Sequence, residues 1–149
     1  MMLSLIGQAQ VKYGQQAGEI ALPTIKGDTL RLSSLQGKVV LLDFWASWCG
    51  PCRISNKTLV KMYDKFKNKG FEIYSVSIDE DKKAWEKAIK KDKITWLQVN
   101  DDKGWNGKTP GRWNIYQIPT SYLIDKQGKL VAMDPEGKKL ESMLNELLN

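Results

Sequence analysis

The stretch VVLLDFWASWCGPC, residues 39–52, decides the fold of this chain. It opens with an uninterrupted aliphatic run that is half valine, which is typical of a strand buried on both faces in the centre of a sheet. The two cysteines follow that strand. Apolar side chains then recur at i, i+3, i+4 and i+7 over residues 59–66. The stretch therefore predicts a strand, a cysteine-bearing turn and a helix.

Strand and helix patterns alternate along the rest of the chain, which predicts an α/β fold with a parallel core. The first helix is expected to end near Gly70 in the left-handed conformation. The other predicted elements are a hairpin over residues 19–32 with its turn at 27–28, a strand over 71–78, a charged helix over 79–91, a strand over 94–99, a loop over 100–113, a hairpin with strands at 120–124 and 129–133, and a last helix capped by Asp134 with Pro135 in its first turn.

The composition excludes several kinds of site. The chain has 149 residues, two cysteines and no histidine. A structural zinc site needs four Cys or His ligands, and a Ser-His-Asp or Cys–His catalytic pair needs histidine, so neither can be built here. A chain of this length buries a core without metal or disulfide staples. We therefore expect one domain with no metal and no cofactor.

The positive charge does not indicate a nucleic-acid partner. Lys and Arg number 23 and Asp and Glu 17, for a net charge of +6. The lysines alternate with acidic residues over residues 79–93, and no basic stripe is interleaved with aromatic residues. No stretch approaches the ~18 apolar residues of a membrane-spanning helix. The sequence predicts neither nucleic-acid binding nor an integral membrane segment.

We assign residues 1–17 to an N-terminal extension and residues 18–149 to one domain. The chain begins MMLSLIGQAQ, which is apolar and then small and polar, like the end of the apolar region of a signal peptide. The basic region of a complete signal is missing. Two interpretations stay open, a remnant of an export signal and a frayed terminus.

The chemistry of the chain centres on Cys49 and Cys52. A Cys-x-x-Cys pair can bind metal, but no further cysteine or histidine completes a site. At a helix N-terminus, free N–H groups and the helix dipole stabilise a thiolate, and Pro51 sacrifices little hydrogen bonding there. We predict a redox dithiol in which Cys49 is exposed and attacks a foreign disulfide. Cys52, one turn deeper, would then release the partner; an inert cysteine pair is the alternative.

Two other residues are candidates. Asp43 lies six residues before Cys49, at the end of the buried strand, where desolvation should raise its pKa. It could accept the proton of Cys52, or it could be an acid hydrogen-bonded to backbone. Pro119 precedes a strand, and only about one X-Pro bond in twenty is cis. The residues alone therefore favour a structural trans proline.

The segment from Asp43 to Cys52 resembles the active-site segment of thioredoxins. Together with LQGKVVL at residues 35–41 and IPTSYLID at residues 118–125, it resembles the TlpA/ResA-type thioredoxin-like proteins of bacterial cell envelopes, relatives of the peroxiredoxins. The resemblance covers residues 18 to 148. It implies a thioredoxin fold, in which helices flank a central mixed β-sheet. An N-terminal β-hairpin and a helical insert after the second central strand, here the charged helix from Asp79, would be added.

The resemblance also implies roles for residues. It makes Cys49 the nucleophile, Cys52 the resolving thiol and Asp43 the buried acid. It makes Pro119 the cis-proline beside the active site, which reverses the expectation from the residues alone. The residues that it places against a bound substrate are Trp48, Gly50, Pro51, Ile118 and Pro119, with the backbone of Ile118 offered to a peptide.

The chain departs from the family pattern at two places. Thioredoxin has a lysine near its buried acid, and Ser75 takes the matching position here, so proton handling should differ. Pro110-Gly111 interrupts the helix that usually precedes the cis-proline. We expect that helix to be short or shifted.

The function implied is a thiol–disulfide oxidoreductase that reduces protein disulfides in the cell envelope or periplasm, as a monomer with an upstream redox partner. Apocytochromes, damaged envelope proteins or other oxidoreductases are its possible substrates, and a cytoplasmic location is the alternative. A redox-switched binding module is a second reading, suggested by six tryptophans and the loop KGWNGK at residues 103–108. A peroxidase is a weaker third reading, because the residues before Cys49 lack the Pro-x-x-x-Thr-x-x-Cys setting of peroxidatic cysteines.

Overall fold

The computed structural model describes residues 12–149. Seven strands and four helices are defined there, besides three short 3-10 turns at Leu32–Leu35, Lys67–Lys69 and Gly104–Asn106. In chain order the strands and helices are β1 (Ala21–Pro23), β2 (Thr29–Arg31), β3 (Val39–Trp45), α1 (Gly50–Phe66), β4 (Phe71–Ser77), α2 (Lys82–Lys91), β5 (Leu97–Asn100), α3 (Lys108–Arg112), β6 (Thr120–Ile124), β7 (Leu130–Met133) and α4 (Gly137–Leu148).

The valine- and leucine-rich strand β3 is the middle strand of a five-stranded sheet with the order β5-β4-β3-β6-β7. β4 pairs parallel with β3 and β5 parallel with β4. β6 is antiparallel to β3, and β7 is antiparallel to β6. β1 and β2 form a separate antiparallel hairpin, and α2 follows the second central strand. The mixed sheet, the hairpin and the helical insert confirm the predicted architecture.

The two faces of β3 bury two different apolar clusters because successive side chains in a strand point to opposite sides. Leu41 and Trp45 pack with α1, α2 and α4 on one face. Leu42 and Phe44 pack on the other face with residues of the hairpin and of the segment before β6. Asp43 has the parity of Leu41 and Trp45, so its carboxylate is directed to the face that α1 covers.

The charged helix is shorter than predicted. α2 begins at Lys82, not at Asp79, because the Asp79 carboxylate is buried and accepts hydrogen bonds from Ser77 of the sheet and from Ser47. Ser47 belongs to the loop between β3 and α1, residues 46–49, which we call the redox loop. Asp81 caps the helix instead, accepting from the backbone N–H groups of Lys83 and Ala84. The third strand of the parallel set likewise begins at Leu97 rather than Ile94.

The predicted cap of the last helix is wrong. α4 begins at Gly137, and Glu136 is its N-cap residue. Asp134 has a positive φ of 51° and pairs with β6 instead: its Oδ1 accepts from the N–H of Ser121 at 2.7 Å. Its own N–H donates to the Ser121 carbonyl at 2.8 Å. The Asp134 carboxylate therefore accepts from the sheet and is not available to cap α4.

The segment predicted as a loop over residues 100–113 is partly helical. It contains the 3-10 turn Gly104–Asn106 and the five-residue helix α3. The buried Asp101 carboxylate organises the segment by accepting from the N–H groups of Lys103 and Thr109. The brevity of α3 confirms the expectation of a shortened helix before the proline.

Residues 1–11 of the predicted extension lie outside the described residues. Nearby, Gln16 forms a β-bridge with Lys129, and the Ala17 N–H donates to the Gly128 carbonyl at 2.8 Å. The boundary at residue 18 stays a prediction. Within residues 12–149, no helix has the length and apolar character needed to cross a bilayer.

Candidate active site

The two cysteines lie where β3 gives way to α1. Cys49 is the N-cap residue of α1, in extended conformation, and Cys52 lies in the first turn. They are joined by a disulfide, so the structure is that of the oxidised form. The Sγ atom of Cys49 accepts from the backbone N–H of Cys52 at 3.2 Å. A thiolate at this position would receive the same N–H group and the positive end of the helix dipole.

The prediction that Cys49 is exposed is wrong, because both cysteines are buried, although Cys49 is slightly the more open of the two. Cys49 is 6% exposed and Cys52 is 1% exposed. Gly50, Pro51 and Trp48 around them are exposed, with Trp48 at 59%. The exposed surface next to the disulfide is therefore formed by Trp48, Gly50 and Pro51.

The loop before β6 closes the other side of the cysteine pair. The Ile118–Pro119 peptide is cis, as the family resemblance implies. The carbonyl oxygen of Ile118 lies 3.7 Å from the Sγ of Cys49. Thr120 steadies the loop because its hydroxyl donates to the Gln117 carbonyl at 2.7 Å. The structure thus brings Ile118 and Pro119, distant in sequence, to the reactive sulfur.

Asp43 is buried beneath this site. It is 4% exposed, and burial raises the pKa of its carboxyl from 3.8 to about 7, while the hydrogen bond from Ser75 opposes the rise and the charge of Asp134 adds to it. The Ser75 hydroxyl donates to Asp43 at 3.3 Å and accepts from the indole N–H of Trp96 at 2.9 Å. Ser75 is the β4 partner of Asp43. The raised pKa and the serine opposite the acid are confirmed.

A cleft of about 410 Å³ opens beside Asp43, between α1 and the segment that leads into α4. Ser55, Thr58, Ser121 and Asp134 supply polar groups to its walls, which are otherwise largely apolar. The cleft gives the buried carboxyl a path to water. Sequence reasoning missed it, although one signal was present: Ser55 lies four residues before Leu59, on the predicted apolar face of the helix.

Ser47 is a second residue that sequence reasoning missed. It lies two residues before Cys49, and its N–H donates to the carboxylate of Asp79 at 3.0 Å. Its hydroxyl donates to the same carboxylate at 2.5 Å. The two residues are 32 positions apart, so no local pattern could have paired them.

The sequence profile of the AhpC/TSA family matches residues 13–133, which include the cysteine pair, the buried acid and the cis-proline. The chain belongs to the AhpC/TSA family. Among curated relatives it is similar to a thiol-disulfide oxidoreductase ResA of Bacillus cereus, with 34% identity over 82% of this chain and 69% of the relative. ResA of Bacillus subtilis (strain 168) is 30% identical over 96% of this chain and 78% of the relative.

Solved structures agree with this family. A thiol-disulfide oxidoreductase from Bacteroides fragilis NCTC 9343 superposes with a TM-score of 0.83 at 38% identity, covering 89% of this chain and 99% of that one. The thioredoxin domain of a thiol-disulfide oxidoreductase from Bacteroides vulgatus gives 0.86 at 36% identity, covering 94% and 100%. This AhpC/TSA-family chain is therefore a TlpA/ResA-type thiol–disulfide oxidoreductase with a thioredoxin-like fold.

Proposed function

We propose that the reduced Cys49–Cys52 pair transfers two electrons to disulfides in other proteins. The observation that carries this proposal is the position of the Cys49 sulfur, at the N-terminus of α1, 3.2 Å from the Cys52 N–H and 3.7 Å from the Ile118 carbonyl. The helix terminus favours a thiolate, and the exposed residues Trp48, Gly50 and Pro51 form the surface on which we place a foreign disulfide.

In the first step the Cys49 thiolate attacks one sulfur of the substrate disulfide. The sulfur–sulfur bond of the substrate breaks, and the other substrate sulfur leaves as a thiolate that takes up a proton. The product is a mixed disulfide between Cys49 and the substrate. The electron pair of the new bond comes from Cys49, so one half of the substrate is now reduced.

In the second step Cys52 loses its proton and attacks the Cys49 sulfur. The mixed disulfide breaks, the second substrate sulfur leaves as a thiolate and is protonated, and the enzyme disulfide of the present structure forms. Attack on Cys49 needs little motion, because the two Cα atoms are 5.2 Å apart in the oxidised form.

Asp43 accepts the proton of Cys52. A carboxyl with a pKa of about 7 changes its charge near neutral pH, the range in which a general base works best. Asp43 lies on the face of β3 that α1 covers, and it shares a cleft with Ser55, one turn beyond Cys52. The cleft then carries the proton to water, which returns the carboxyl to its ionised form.

The substrate lies along the loop that precedes β6. An extended peptide beside a reactive cystine can donate a backbone hydrogen bond to the Ile118 carbonyl. This contact would align the target disulfide with the Cys49 sulfur. The other contacts that we assign to the substrate are Trp48, Gly50, Pro51 and Pro119.

We assign the protein the role of a reductant in the cell envelope. The Gly-Pro dipeptide between the cysteines is that of thioredoxin, whose potential is about −270 mV, and the TlpA/ResA resemblance supports an envelope location. An upstream redox partner would return electrons to a monomer. Alkylation of Cys49 in intact cells by a membrane-impermeant reagent tests the location, since a cytoplasmic protein would be protected. Equilibration with glutathione tests the potential, and light scattering the monomer.

The Cys52→Ser variant tests the mechanism. It should accumulate a covalent complex with its substrate that thiol reductants dissolve, because the second step is blocked. Identification of the captured proteins would distinguish an apocytochrome from another envelope protein or oxidoreductase. Cys49→Ser is the matched control and should capture nothing. Turnover by Cys49→Ser would refute the assigned roles of the two cysteines.

Redox-switched binding is a second candidate, favoured by the exposure of Trp105, which is 47% exposed while four of the six tryptophans are buried. The same experiment separates the two functions. A complex of Cys52→Ser that persists under reducing conditions would support binding. Consumption of peroxide with a recycling thiol would support the peroxidase.

A further inference from the structure

Residues 79–92, which we call the α2 segment, are linked at both ends to Ser47 of the redox loop. Asp79 lies just before α2, and Asp92 is the C-cap residue of α2. Asp79 binds Ser47 directly. Asp92 binds Arg53, and Arg53 in turn binds Ser47. The mechanism above uses none of these residues, although Ser47 is only two positions from the nucleophile.

The N-terminal contact is buried. Asp79 is 1% exposed, and its two carboxylate oxygens accept from the Ser47 N–H at 3.0 and 3.2 Å and from the Ser47 hydroxyl at 2.5 Å. The Ser77 hydroxyl donates to the same carboxylate at 2.6 Å. Asn100 holds Ser77 in turn, since its amide lies 3.2 Å from the Ser77 hydroxyl oxygen. Residues of β4 and β5 therefore help to orient the carboxylate that binds the loop.

The C-terminal contact works through a guanidinium. Arg53 donates from Nη1 to the Ser47 carbonyl at 3.0 Å. It donates from Nε and Nη2 to the two oxygens of Asp92 at 2.5 and 2.9 Å, a bidentate pair that sets the plane of the guanidinium. The buried Asn56 also donates to Asp92 at 3.0 Å. Arg53 thus cannot turn away from Ser47 without breaking its contacts with α2.

These contacts hold Ser47 through both of its neighbouring peptide groups. A negative group binds the N–H, and a positive group binds the C=O. The turn is tight, because the N–H of Cys49 donates to the Ala46 carbonyl at 3.1 Å. A shift of Ser47 therefore displaces Cys49 relative to the Cys52 N–H and the Ile118 carbonyl.

We infer that Ser47 is a positioning residue for Cys49, and that the α2 segment, residues 79–92, holds it from both ends through Asp79 and through the Asp92–Arg53 pair. This inference rests on the proposed role of Cys49 as the nucleophile. Small displacements of a reacting atom are costly in rate. The insert that distinguishes this chain from a minimal thioredoxin fold is then part of the machinery that sets the reactivity of the nucleophile.

The test compares variants that keep or remove single contacts. Ser47→Ala removes the hydroxyl but keeps the backbone N–H, and Ser47→Thr keeps both. Asp79→Asn removes the charge at nearly constant volume. Glu141→Gln is the control, because it breaks the ion pair with Lys65, which joins α1 to α4 and does not involve the redox loop. The probe is a small aromatic disulfide that releases a coloured thiolate, and its reduction gives the rate constant for attack.

We expect Ser47→Ala and Asp79→Asn to slow attack about tenfold, and Ser47→Thr and Glu141→Gln to stay within about twofold of the parent. The second measurement is the pH profile of iodoacetamide alkylation in the Cys52→Ala background, where only Cys49 reacts. Loss of a negative charge alone would move the profile of Asp79→Asn to lower pH. Loss of position would move it to higher pH, since the thiolate leaves the helix N-terminus. We expect the shift to higher pH.

Three outcomes overturn the inference. In the first, Ser47→Ala and Asp79→Asn react like the parent. In the second, Ser47→Thr reacts as slowly as Ser47→Ala, or Glu141→Gln slows the reaction equally. Either result would mean that the lower rate constant reflects a general loss of stability. In the third, the profile of Asp79→Asn moves to lower pH. If Asp79→Asn does not fold, the two Ser47 variants decide. Turnover by Cys49→Ser would overturn the proposed function instead, so the two failures are distinguishable.

Discussion

Ionisation of Asp43 should destabilise the folded protein, and Asp43→Asn should remove that cost. Burial raises the pKa of this carboxyl from 3.8 to about 7. Between these two values the folded state binds a proton that the unfolded state has lost. Asp43 therefore does not lower the free energy of unfolding of the wild-type protein below pH ~4, and it lowers that free energy progressively as the pH rises through about 7.

The difference between the unfolded pKa of 3.8 and the folded pKa of about 7 sets the size of this destabilisation. At about 1.4 kcal/mol per pKa unit, the loss of unfolding free energy is at most about 4 kcal/mol. Water in the cleft beside Asp43 should reduce it. We expect Asp43→Asn to gain stability relative to wild type between pH ~4 and ~7, with no further gain above pH ~8.

The assay is urea unfolding of the oxidised protein at several pH values, followed by tryptophan fluorescence. The difference between variant and wild type cancels the other titrating groups. Asp64→Asn is the matched control, since Asp64 lies on the outer face of α1 with 62% of its side chain exposed. A difference for Asp43→Asn that stays constant over this pH range would refute the argument that burial raises the pKa.

Four other outcomes follow from the same contacts. Asp43→Asn should lengthen the life of the mixed disulfide about 100-fold near pH 7, measured by acid quenching and mass analysis; an unchanged lifetime would contradict its role as base. Asp134→Asn should lower the pKa of Asp43 by removing a negative charge, and Ser75→Ala should raise it by removing a donor; infrared titration of the carboxyl checks both directions. Asp92→Asn should cost about 1–3 kcal/mol and weaken the acid dependence of unfolding. Burial raises the pKa of Asp92, but the hydrogen bonds from Arg53 and Asn56 together with the positive charges of Arg53 and Lys57 outweigh burial and leave the pKa lowered. Stability is therefore lost as the pH falls through that pKa.

Local sequence was enough to predict the frame of the active site. The aliphatic run of β3, the Cys-x-x-Cys turn and the periodic helix α1 are short-range patterns, and each was confirmed. The raised pKa of Asp43 also followed from its place in a buried strand. The cis state of Pro119 did not follow from local chemistry, and only the family resemblance predicted it.

The errors occur where distant groups compete for a side chain. Asp79 begins the charged stretch that predicts a helix, yet its carboxylate binds Ser47, 32 positions away. Asp134 followed by proline is typical of a helix start, yet Asp134 pairs with β6, 13 positions before it. In both cases the carboxylate accepts from a backbone N–H group that is distant in sequence, that of Ser47 for Asp79 and that of Ser121 in β6 for Asp134, instead of capping the adjacent helix.

The amino-acid sequence by itself determined the order of the strands and of the helices other than α3, the Cys-x-x-Cys dithiol and the acid at the end of β3, because these features depend on hydrophobic periodicity and on residues that are close together in the chain. Only the tertiary structure decided which groups surround them. The Ile118 carbonyl at Cys49 and the grip of α2 on Ser47 join residues 32 to 69 positions apart, and the cleft beside Asp43 is walled by both α1 and the start of α4. Such contacts depend on how the helices pack against the sheet, and the hydrophobic periodicity of the chain does not predict which distant side chains that packing brings together.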